Sequence, residues 1–313
     1  MTESFDRADV VIVGGGPAGL AAALLLARGN KSVIVCDAGT PRNVRATHVH
    51  GYLGADGLAP SELRARGRAE LARYPSVSFR DARVQGIDRR GAELVVALGK
   101  AGELVARRVL LATGIADSLS KTPGFAEQWG RGIFDCPYCH GYEHRDQPWG
   151  FVAPKVAGLR TVLTYFAWTR DMIVFTDGFS LEIPADLKRE LDTARVRFEP
   201  RKMIRIVAEA DVLTGIEVEG GEIVPRSALV YHPAARPSDL PLMMGLTQDG
   251  GFLKVDSRTH ETNMRGVHAC GDLVAGGMKA LLSAADGMSA AQAIAESLTL
   301  EDALSGSFAS GIV

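Results

Sequence analysis

The N-terminal part of the chain alternates apolar runs with glycine-rich and polar breaks. The apolar runs at residues 8–13 and 32–36 predict two buried strands, because strands that are covered on both faces read as continuous β-branched runs. Residues 17–28 lie between them, have the length of a helix and begin at Pro17, a residue type favoured at the first helical position. The pattern predicts a strand–helix–strand unit whose first turn is the glycine stretch from Gly14 to Gly19.

The same alternation continues along the chain, with short strand-like runs separated by turns and helical segments. Strand-like runs occur at residues 77–79, 94–98, 105–111, 150–153, 172–175, 196–198, 204–208, 216–219, 228–231, 251–255 and 266–270, and helical patterns at residues 156–168 and 278–297. Residues 150–175 therefore form a second strand–helix–strand unit. Two such units predict an α/β fold with two Rossmann-like dinucleotide-binding domains.

Two stretches without clear patterning predict connections between domains. Residues 116–132 are rich in glycine, proline and polar side chains. Residues 232–242, HPAARPSDLPL, are proline-rich, and proline fixes φ and lacks an N–H group. We therefore expect 232–242 to be a poor strand and a second link between domains.

Composition narrows the class of protein. A hydrophobic fraction of 46% against 23% charged residues is typical of an ordered globular protein, and 313 residues allow two domains. The net charge of -2 provides no basic field, so we expect neither nucleic acid nor a membrane as partner. The acidic start, MTESFD, does not resemble a secretory signal, and the apolar run at 20–27 is too short to span a bilayer. We expect a cytoplasmic protein.

The glycine stretch at the first turn has the spacing of a dinucleotide-binding motif. Gly14 allows the tight turn, Gly16 lets the backbone approach a pyrophosphate, and Gly19 lets the helix pack on the strand. The start of the helix presents amide N–H groups that bind phosphate. Asp37, at the end of the second strand, can accept a hydrogen bond from an adenosine ribose.

The motif Cys136-Pro137-Tyr138-Cys139 is the second chemical signal. Four cysteines in a chain of this length cannot form a disulfide scaffold, and a Cys-x-x-Cys pair in a cytosolic protein is typical of redox or metal sites. No further ligand pair with metal-binding spacing follows, so we expect redox chemistry and no metal site. Cys36 and Cys270 lie in apolar segments and are interpreted as packing residues.

Four motifs occur in one order along the chain: Gly14–Gly19, Ala112-Thr113-Gly114, Cys136–Cys139 and Ala269-Cys270-Gly271-Asp272. In this order and at these spacings the chain resembles the low-molecular-weight thioredoxin reductase family over nearly its full length. The resemblance implies an FAD-binding domain made from residues 1–115 and 242–313. It also implies a smaller domain, residues 116–241, inserted between them and carrying the Cys-x-x-Cys motif, and a homodimer.

The resemblance also implies which residues form the sites. The cofactor-binding residues would be Gly14, Gly16, Pro17, Ala18, Gly19, Asp37, Thr113, Gly114, Gly271 and Asp272. Asp272 would accept a hydrogen bond from the ribityl chain, with the N-cap of the following helix as an alternative or additional role. Cys139 would exchange electrons with the flavin, and Cys136 would meet the substrate.

The inserted domain departs from the family at its pyridine-nucleotide site. Ala153-Pro154-Lys155 stands where the family has the glycines of its NADPH loop, and Thr176-Asp177-Gly178 replaces the basic cluster that binds the 2′-phosphate. The proline removes an N–H, the side chains hinder close approach of the backbone, and Asp177 would repel a phosphate. Gly158 keeps the glycine that packs the helix on the strand. We expect the domain to keep its fold and not to bind NADPH.

The second cysteine is followed by His140-Gly141-Tyr142-Glu143, where the reductases have an acid. A histidine can take a proton from a thiol and return it, and we expect Glu143 to orient or charge this histidine. The continuation resembles the thioredoxin-reductase-like dithiol oxidases that close disulfides in natural products such as gliotoxin and holomycin. His48 and His50, in THVHGYLG, are weaker candidates for a catalytic role.

Three functions remain open from the sequence. The favoured one is an FAD enzyme that oxidises a dithiol, small molecule or protein, and passes the electrons to oxygen or to a second flavin, as in the diflavin-linked disulfide oxidoreductases that the chain also resembles. Trp149 could stack on such a second ring system, or lie in the core. The alternatives are a thioredoxin reductase that uses NAD(P)H or another donor, with Asp177 suiting an NADH ribose, and a non-catalytic FAD-binding redox sensor.

Overall fold

The computed structural model describes residues 7–274 and 279–306. In chain order it begins with β1 (Arg7–Val13), α1 (Pro17–Arg28), β2 (Val33–Cys36), α2 (Pro60–Leu71), β3 (Val77–Arg80), β4 (Gly86–Arg90), β5 (Glu93–Ala97), a 3₁₀ turn (Gly99–Ala101), β6 (Glu103–Leu111) and β7 (Ile115–Ser118). All of β2 is buried, as the apolar run predicts. The predicted strand–helix–strand unit at the start of the chain is confirmed.

The central part of the chain contains α3 (Phe125–Gln128), β8 (Ile133–Phe134), α4 (Pro137–His140), β9 (Trp149–Val152), a long 3₁₀ helix (Leu159–Ala167), β10 (Met172–Phe175), α5 (Ala185–Thr193), β11 (Arg197–Glu199), β12 (Met203–Glu209), β13 (Val212–Val218), β14 (Ile223–Pro225) and β15 (Ala228–Tyr231). The α-helix predicted at 156–168 is wrong in type and in start. A 3₁₀ helix begins only at Leu159, after the left-handed residue Gly158.

The last part contains β16 (Ala234–Pro237), α6 (Asp239–Met243), β17 (Gln248–Asp249), β18 (Phe252–Leu253), β19 (Val267–Ala269), a 3₁₀ turn (Gly271–Leu273) and α7 (Ala280–Leu304). Residues 232–242, predicted to be a poor strand, thus include a strand and a short helix. The expected helix start at Met278 lies outside the described residues, and α7 runs seven residues beyond the predicted end at Ser297.

The described chain divides into two compact units. The first takes in the residues up to 44, residues 60–116 and the residues from 235 onward, and the second takes in residues 45–59 and 117–234. The boundaries expected from the sequence, at 115 and 242, differ from these at the C-terminal crossing. Residues 45–59 also group with the second unit, where no pattern in the sequence had placed them.

The first unit is built on a sheet with strand order β3-β2-β1-β6-β5-β4, and β19 pairs with β6. Strands β1, β2, β3, β6 and β19 are parallel, while β5 pairs antiparallel with β6 and β4 pairs antiparallel with β5. One apolar cluster packs α1 and α7 against the sheet, and Gly287 lets the helices meet because a Cβ there would lie 2.2 Å from the Ala18 carbonyl oxygen.

The second unit has a parallel sheet in the order β11-β10-β9-β15-β8 and an antiparallel sheet of β12, β13 and β14. The expected linker 116–132 contributes Phe125 and Trp129 to its buried core. The predicted α/β class with Rossmann-type domains is confirmed. Within the two described ranges, no helix combines the length and the apolar character needed to cross a membrane.

Candidate functional site

The glycine turn of the first unit has the geometry of a dinucleotide-binding motif. Gly14 has φ +114°, and a Cβ at this position would lie 2.3 Å from the Ala112 carbonyl oxygen. A Cβ at Gly19 would lie 1.9 Å from the Gly14 carbonyl oxygen. A side chain at Gly14 would collide with the backbone after β6, and one at Gly19 would separate α1 from the end of β1. The turn is therefore restricted to glycine by the packing of its own backbone.

Gly16 differs from these two glycines, because a Cβ added there would meet nothing within 4 Å. Gly16 is the N-cap of α1, whose first helical residues are Pro17 and Ala18. The open space lies where amide N–H groups and the helix dipole favour a phosphate. The Asp37 carboxylate is close by, since its Oδ2 would lie 2.6 Å from a Cβ at Gly15. This arrangement fits the ADP half of FAD.

The remaining expected cofactor residues of the first unit are held by hydrogen bonds. The Thr113 and Ser238 hydroxyls lie 2.5 Å apart, and the Gly114 carbonyl oxygen accepts from the Ser238 N–H. Gly271 has φ +72° and donates its N–H to Asp286 Oδ2 at 2.6 Å. These contacts fix the two turns that follow β6 and β19.

The alternative role of Asp272, as N-cap of the long helix, is wrong. The N-cap of α7 is Lys279, and Asp272 lies inside the preceding 3₁₀ turn. The Ser283 hydroxyl donates to Asp272 Oδ1 at 2.7 Å, which anchors the carboxylate to the first turn of α7. The role of Asp272 in cofactor binding stays a prediction.

Cys136 and Cys139 form a disulfide in the second unit, with their Cα atoms 5.3 Å apart. Cys136 is the N-cap of the short helix α4, and the Cys139 N–H donates to the Cys136 carbonyl oxygen at 3.0 Å. The turn closes with the Gly141 N–H on the Pro137 carbonyl oxygen at 2.6 Å. The other two cysteines, Cys36 and Cys270, are buried and unpaired, and burial raises the pKa of Cys36 to about 11. They are packing residues, as predicted.

The imidazole of His140 stacks on the ring of Phe134, with centroids 5.2 Å apart and planes 10° from parallel. Both ring nitrogens are inaccessible to solvent, and neither makes a hydrogen bond of good geometry with a described residue, although the nearby Cys136 backbone favours the charged imidazolium. Burial lowers the pKa of His140, because desolvation penalises the charged imidazolium, while the Asp135 charge opposes this effect. Burial therefore favours the neutral imidazole at this position, and the nearby negative charge favours its protonation.

The Glu143 carboxylate, expected to orient or charge His140, contacts the ring of His50. Its Oε1 lies 3.5 Å from His50 Nε2, and His50 Nδ1 lies 3.4 Å from Asp56 Oδ2. Among the charges that act on His140, Glu143 has a smaller effect than Asp135. His50 is therefore brought to the turn after the dithiol, and His48 lies beside it with ring centroids 5.8 Å apart.

His144 is a neighbour of this site that the sequence reading missed. Its ring also stacks on Phe134, with centroids 5.5 Å apart, and burial lowers its pKa. The signal was present in the sequence, because His144 follows His140 by four residues in CHGYEH. The charged form of His144 disfavours the charged form of His140 and contributes to lowering the pKa of His140.

In the segment that stands where the family has its pyridine-nucleotide loop, Gly158 does not pack a helix on a strand as expected. Gly158 has φ +90°, and a Cβ there would meet nothing within 4 Å, so it turns the chain rather than packing a helix on a strand. Asp177, at φ +53°, accepts a hydrogen bond at Oδ1 from the Met203 N–H at 2.8 Å. Its carboxylate is engaged by the backbone of its own unit.

Trp149 lies in the core of the second unit. It is fully buried, its Nε1–H donates to the His144 carbonyl oxygen at 2.8 Å, and it stacks on Trp168 with centroids 6.1 Å apart. A buried ring with a satisfied N–H cannot offer a face to a bound ligand. The alternative in which Trp149 stacks on a second cofactor is wrong for this structure.

A hydrogen bond links the 3₁₀ helix that follows β9 to the end of β15. Strand β9 lies between β10 and β15, so the chain order reverses between β9 and β15, and ligands bind outside the carboxyl ends of the strands at such a point. His232 follows β15, and its Nε2 lies 2.7 Å from the hydroxyl of Tyr165, a buried residue of the 3₁₀ helix. Phe151 packs its ring against both. No sequence signal linked these residues, which are 67 positions apart.

These features can be compared with known proteins. A family model described as pyridine nucleotide-disulphide oxidoreductase matches residues 8–296. The chain belongs to this family. It is an oxidoreductase that acts on disulfides, and membership implies a flavin cofactor.

The relatives carry reductase names. Thioredoxin reductase tcpT of Claviceps purpurea is 32% identical over 281 residues, which cover 84% of this chain and 86% of the relative. A probable thioredoxin reductase of Arthroderma benhamiae is 31% identical over 298 residues, covering 85% and 74%. The solved structure of HlmI matches with a TM-score of 0.88 and 36% identity, covering 96% and 95% of the two chains. The predicted resemblance to thioredoxin reductase-like flavoproteins is confirmed.

Proposed function

We propose that this protein is an FAD-dependent dithiol–disulfide oxidoreductase that accepts electrons from a substrate dithiol and does not use a pyridine nucleotide. The observation that carries the proposal is the hydrogen bond between Tyr165 and His232, which ties the 3₁₀ helix after β9 to the end of β15, where the chain order reverses. The turn after β9 also lacks the glycines that would let a dinucleotide approach its backbone. With this donor site lost, the disulfide is better suited to receive electrons than to be reduced by NADPH.

The Cys136–Cys139 disulfide supports thiol–disulfide exchange with a dithiol. One substrate thiolate attacks Sγ of Cys136, the bond between the two cysteine sulfurs breaks, and Cys139 leaves as a thiolate. The second substrate thiolate attacks the substrate sulfur of the mixed disulfide, which closes the substrate disulfide and releases the Cys136 thiolate. The substrate thiols release two protons, of which His140 takes one, and solvent or a cysteine thiolate takes the other.

Residues of the first unit would hold FAD. Gly14, Gly16, Gly19 and Asp37 suit its ADP half, while Thr113, Gly114, Gly271 and Asp272 lie on the turns after β6 and β19. When bound, the flavin supplies a two-electron acceptor for the reduced cysteine pair, with molecular oxygen or a second flavin as the class of terminal acceptor. The protein itself binds the cofactor, positions the Cys136–Cys139 pair and, through His140, accepts a proton from the substrate thiols. On the family resemblance we also propose a homodimer located in the cytoplasm.

The names of the relatives favour a second candidate, reduction of a thioredoxin-like partner. The two candidate functions differ in the electron donor that reduces the flavin, which is a substrate dithiol in the first and a pyridine nucleotide in the second. The FAD-loaded protein is mixed anaerobically with dithiothreitol, and separately with NADPH and NADH, while the visible flavin absorbance is followed by stopped flow. We expect rapid bleaching with the dithiol and none with either nucleotide.

The control is Cys139→Ser, which should retain FAD and lose rapid bleaching by the dithiol. Rapid bleaching of the wild-type protein by NADPH or NADH would overturn the proposal in favour of a reductase. Bleaching by dithiothreitol without repeated turnover, in oxygen and with any dithiol tried, would favour a redox sensor instead.

A further inference from the structure

Ionisable side chains collect at the carboxyl edge of the second unit's parallel sheet, beside the dithiol. We call Asp135, His140, Tyr165 and His232 the acid–base cluster. The charge of Asp135 acts on each of the other three. The exchange chemistry described above uses only one of the four, His140.

Strand pairing places Asp135 in this cluster. In the parallel pair β8 and β15, Ile133 pairs with Leu229 and Phe134 with Val230. The next residues along the two strands are Asp135 and Tyr231, and His232 follows Tyr231. Because parallel strands end at the same edge of a sheet, Asp135 emerges beside His232, whose Nε2 is held by the Tyr165 hydroxyl.

The same strand end places Asp135 next to His140. Phe134, the last residue of β8, is 1% exposed and stacks on the His140 ring. Asp135 is the residue immediately before Cys136, and His140 is the residue immediately after Cys139. The disulfide turn therefore brings a carboxylate and an imidazole to the two ends of the dithiol motif.

A buried imidazole needs an opposing charge in order to hold a proton. Both nitrogens of His140 are shielded from solvent, and burial lowers its pKa. Three ionisable side chains act on it: Asp135 and Glu143 favour the imidazolium, and His144 opposes it. Asp135 has the larger favourable effect, whereas the Glu143 side chain is 44% exposed to solvent and lies against His50. Solvent screens an exposed charge more strongly than a shielded one.

We propose that Asp135 is the positioning residue for proton transfer at the dithiol, and that its carboxylate stabilises the His140 imidazolium when His140 takes the proton of a substrate thiol. The sequence pattern had pointed to Glu143 for this role. The proposal rests on the proposed function, in which His140 is the proton carrier. No bond to Asp135 forms or breaks, and its carboxylate stays ionised while the proton moves from sulfur to a ring nitrogen of His140.

The test is a histidine NMR titration of the full-length, FAD-loaded protein in its oxidised form, in which neither cysteine of the dithiol titrates. The His140 signal is assigned with His140→Gln. In Asp135→Asn we expect the His140 titration midpoint to fall by about one pH unit, since an opposite charge at close range is removed. Asp135→Glu should restore most of the midpoint, and Glu143→Gln should shift it by less than half as much as Asp135→Asn.

An unchanged midpoint in Asp135→Asn, or a shift in Glu143→Gln of equal or greater size, would contradict the proposal. Asp135→Ser removes the same charge with a smaller side chain and must give the same fall, so a wild-type midpoint in that variant overturns the proposal even where Asp135→Asn does not fold. The titration uses no dithiol, so it is independent of the proposed reaction. If dithiothreitol fails to bleach the wild-type flavin, the proposed function fails, whereas normal bleaching with an unshifted midpoint rejects only the role of Asp135.

Discussion

His50 stands between two carboxylates, with Nε2 3.5 Å from Glu143 Oε1 and Nδ1 3.4 Å from Asp56 Oδ2. Glu143 follows the dithiol turn, and Asp56 belongs to the same segment as His50, residues 45–59, which groups with the second unit. The Gly51 N–H also donates to Asp56 Oδ1 at 2.7 Å. The contact between the His50 ring and the Glu143 carboxylate therefore ties the 45–59 segment to the turn that carries the redox cysteines.

Replacing Glu143 with Gln should loosen the 45–59 segment with little loss of global stability. Exposed pairs contribute about 0–1 kcal/mol, so the effect should be local. We expect faster amide hydrogen exchange in residues 45–59 and an unfolding midpoint in urea close to wild type. Arg160→Gln, which removes a different exposed ion pair of the second unit, is the control and should leave exchange in 45–59 unchanged. Equal exchange in wild type and Glu143→Gln would show that the pair does not restrain the segment.

Substitutions at two glycines of the cofactor turn, Gly16 and Gly19, should distinguish an effect on cofactor binding from an effect on folding. Gly16→Ala places its methyl group in open space and should fold normally, but it should weaken FAD binding about tenfold or more, because the backbone there must approach a pyrophosphate. Gly19→Ala places a Cβ 1.9 Å from the Gly14 carbonyl oxygen and should lower the stability of the apoprotein. Circular dichroism of the apoproteins and FAD titration by flavin fluorescence measure the two effects. Wild-type FAD affinity in a folded Gly16→Ala protein would contradict the placement of the pyrophosphate.

The sequence was most informative where a short motif is fixed by its own backbone. Gly14 and Gly19 could be predicted because the turn tolerates no side chain, and the spacing alone expresses that requirement. The Cys136–Cys139 pair could also be predicted from spacing, because a separation of three residues brings both cysteines to one helical turn. The signal for His144 was equally local, because it lies four residues after His140.

Contacts between distant segments could not be predicted in this way. His50 and Glu143 come together only because residues 45–59 group with the second unit, and Tyr165 meets His232 only through the order of strands β9 and β15. The sequence pattern predicts that Gly158 packs a helix on a strand, whereas its φ of +90° makes it a turn residue. A one-letter pattern does not distinguish these two uses of glycine.

Asp177 is expected to be structural, and its removal should not create a nucleotide site. Asp177→Ala loses the acceptor for the Met203 N–H and places alanine at φ +53°, which together should cost about 2–4 kcal/mol of unfolding free energy. Asp177→Asn keeps an acceptor oxygen and tolerates the left-handed conformation, so it should stay near wild type. Urea denaturation measures stability, and stopped flow with NADPH should show no flavin reduction in either variant. A stable Asp177→Ala protein that is reduced by NADPH would mean that this carboxylate had excluded the nucleotide.

His268 should make the protein less stable as the pH falls below neutrality. It is 4% exposed, its Nδ1 lies 2.8 Å from the Thr259 carbonyl oxygen, and burial lowers its pKa from 6.5. Between the folded and unfolded pKa values the unfolded chain binds a proton that the folded chain does not. Stability is therefore fully present above about pH 6.5 and declines as the pH falls toward the folded pKa, by up to about 1.4 kcal/mol per pH unit for one histidine.

The test compares the unfolding free energies of wild type and His268→Gln at about pH 7.5 and about pH 5.5. The variant should lose less stability than wild type over this range, whatever its stability at the higher pH, because glutamine does not titrate. An identical decline in His268→Gln and wild type would mean that His268 is protonated as readily in the folded protein as in the unfolded chain, and that its burial between β19 and the Thr259 backbone imposes no penalty on the charged form.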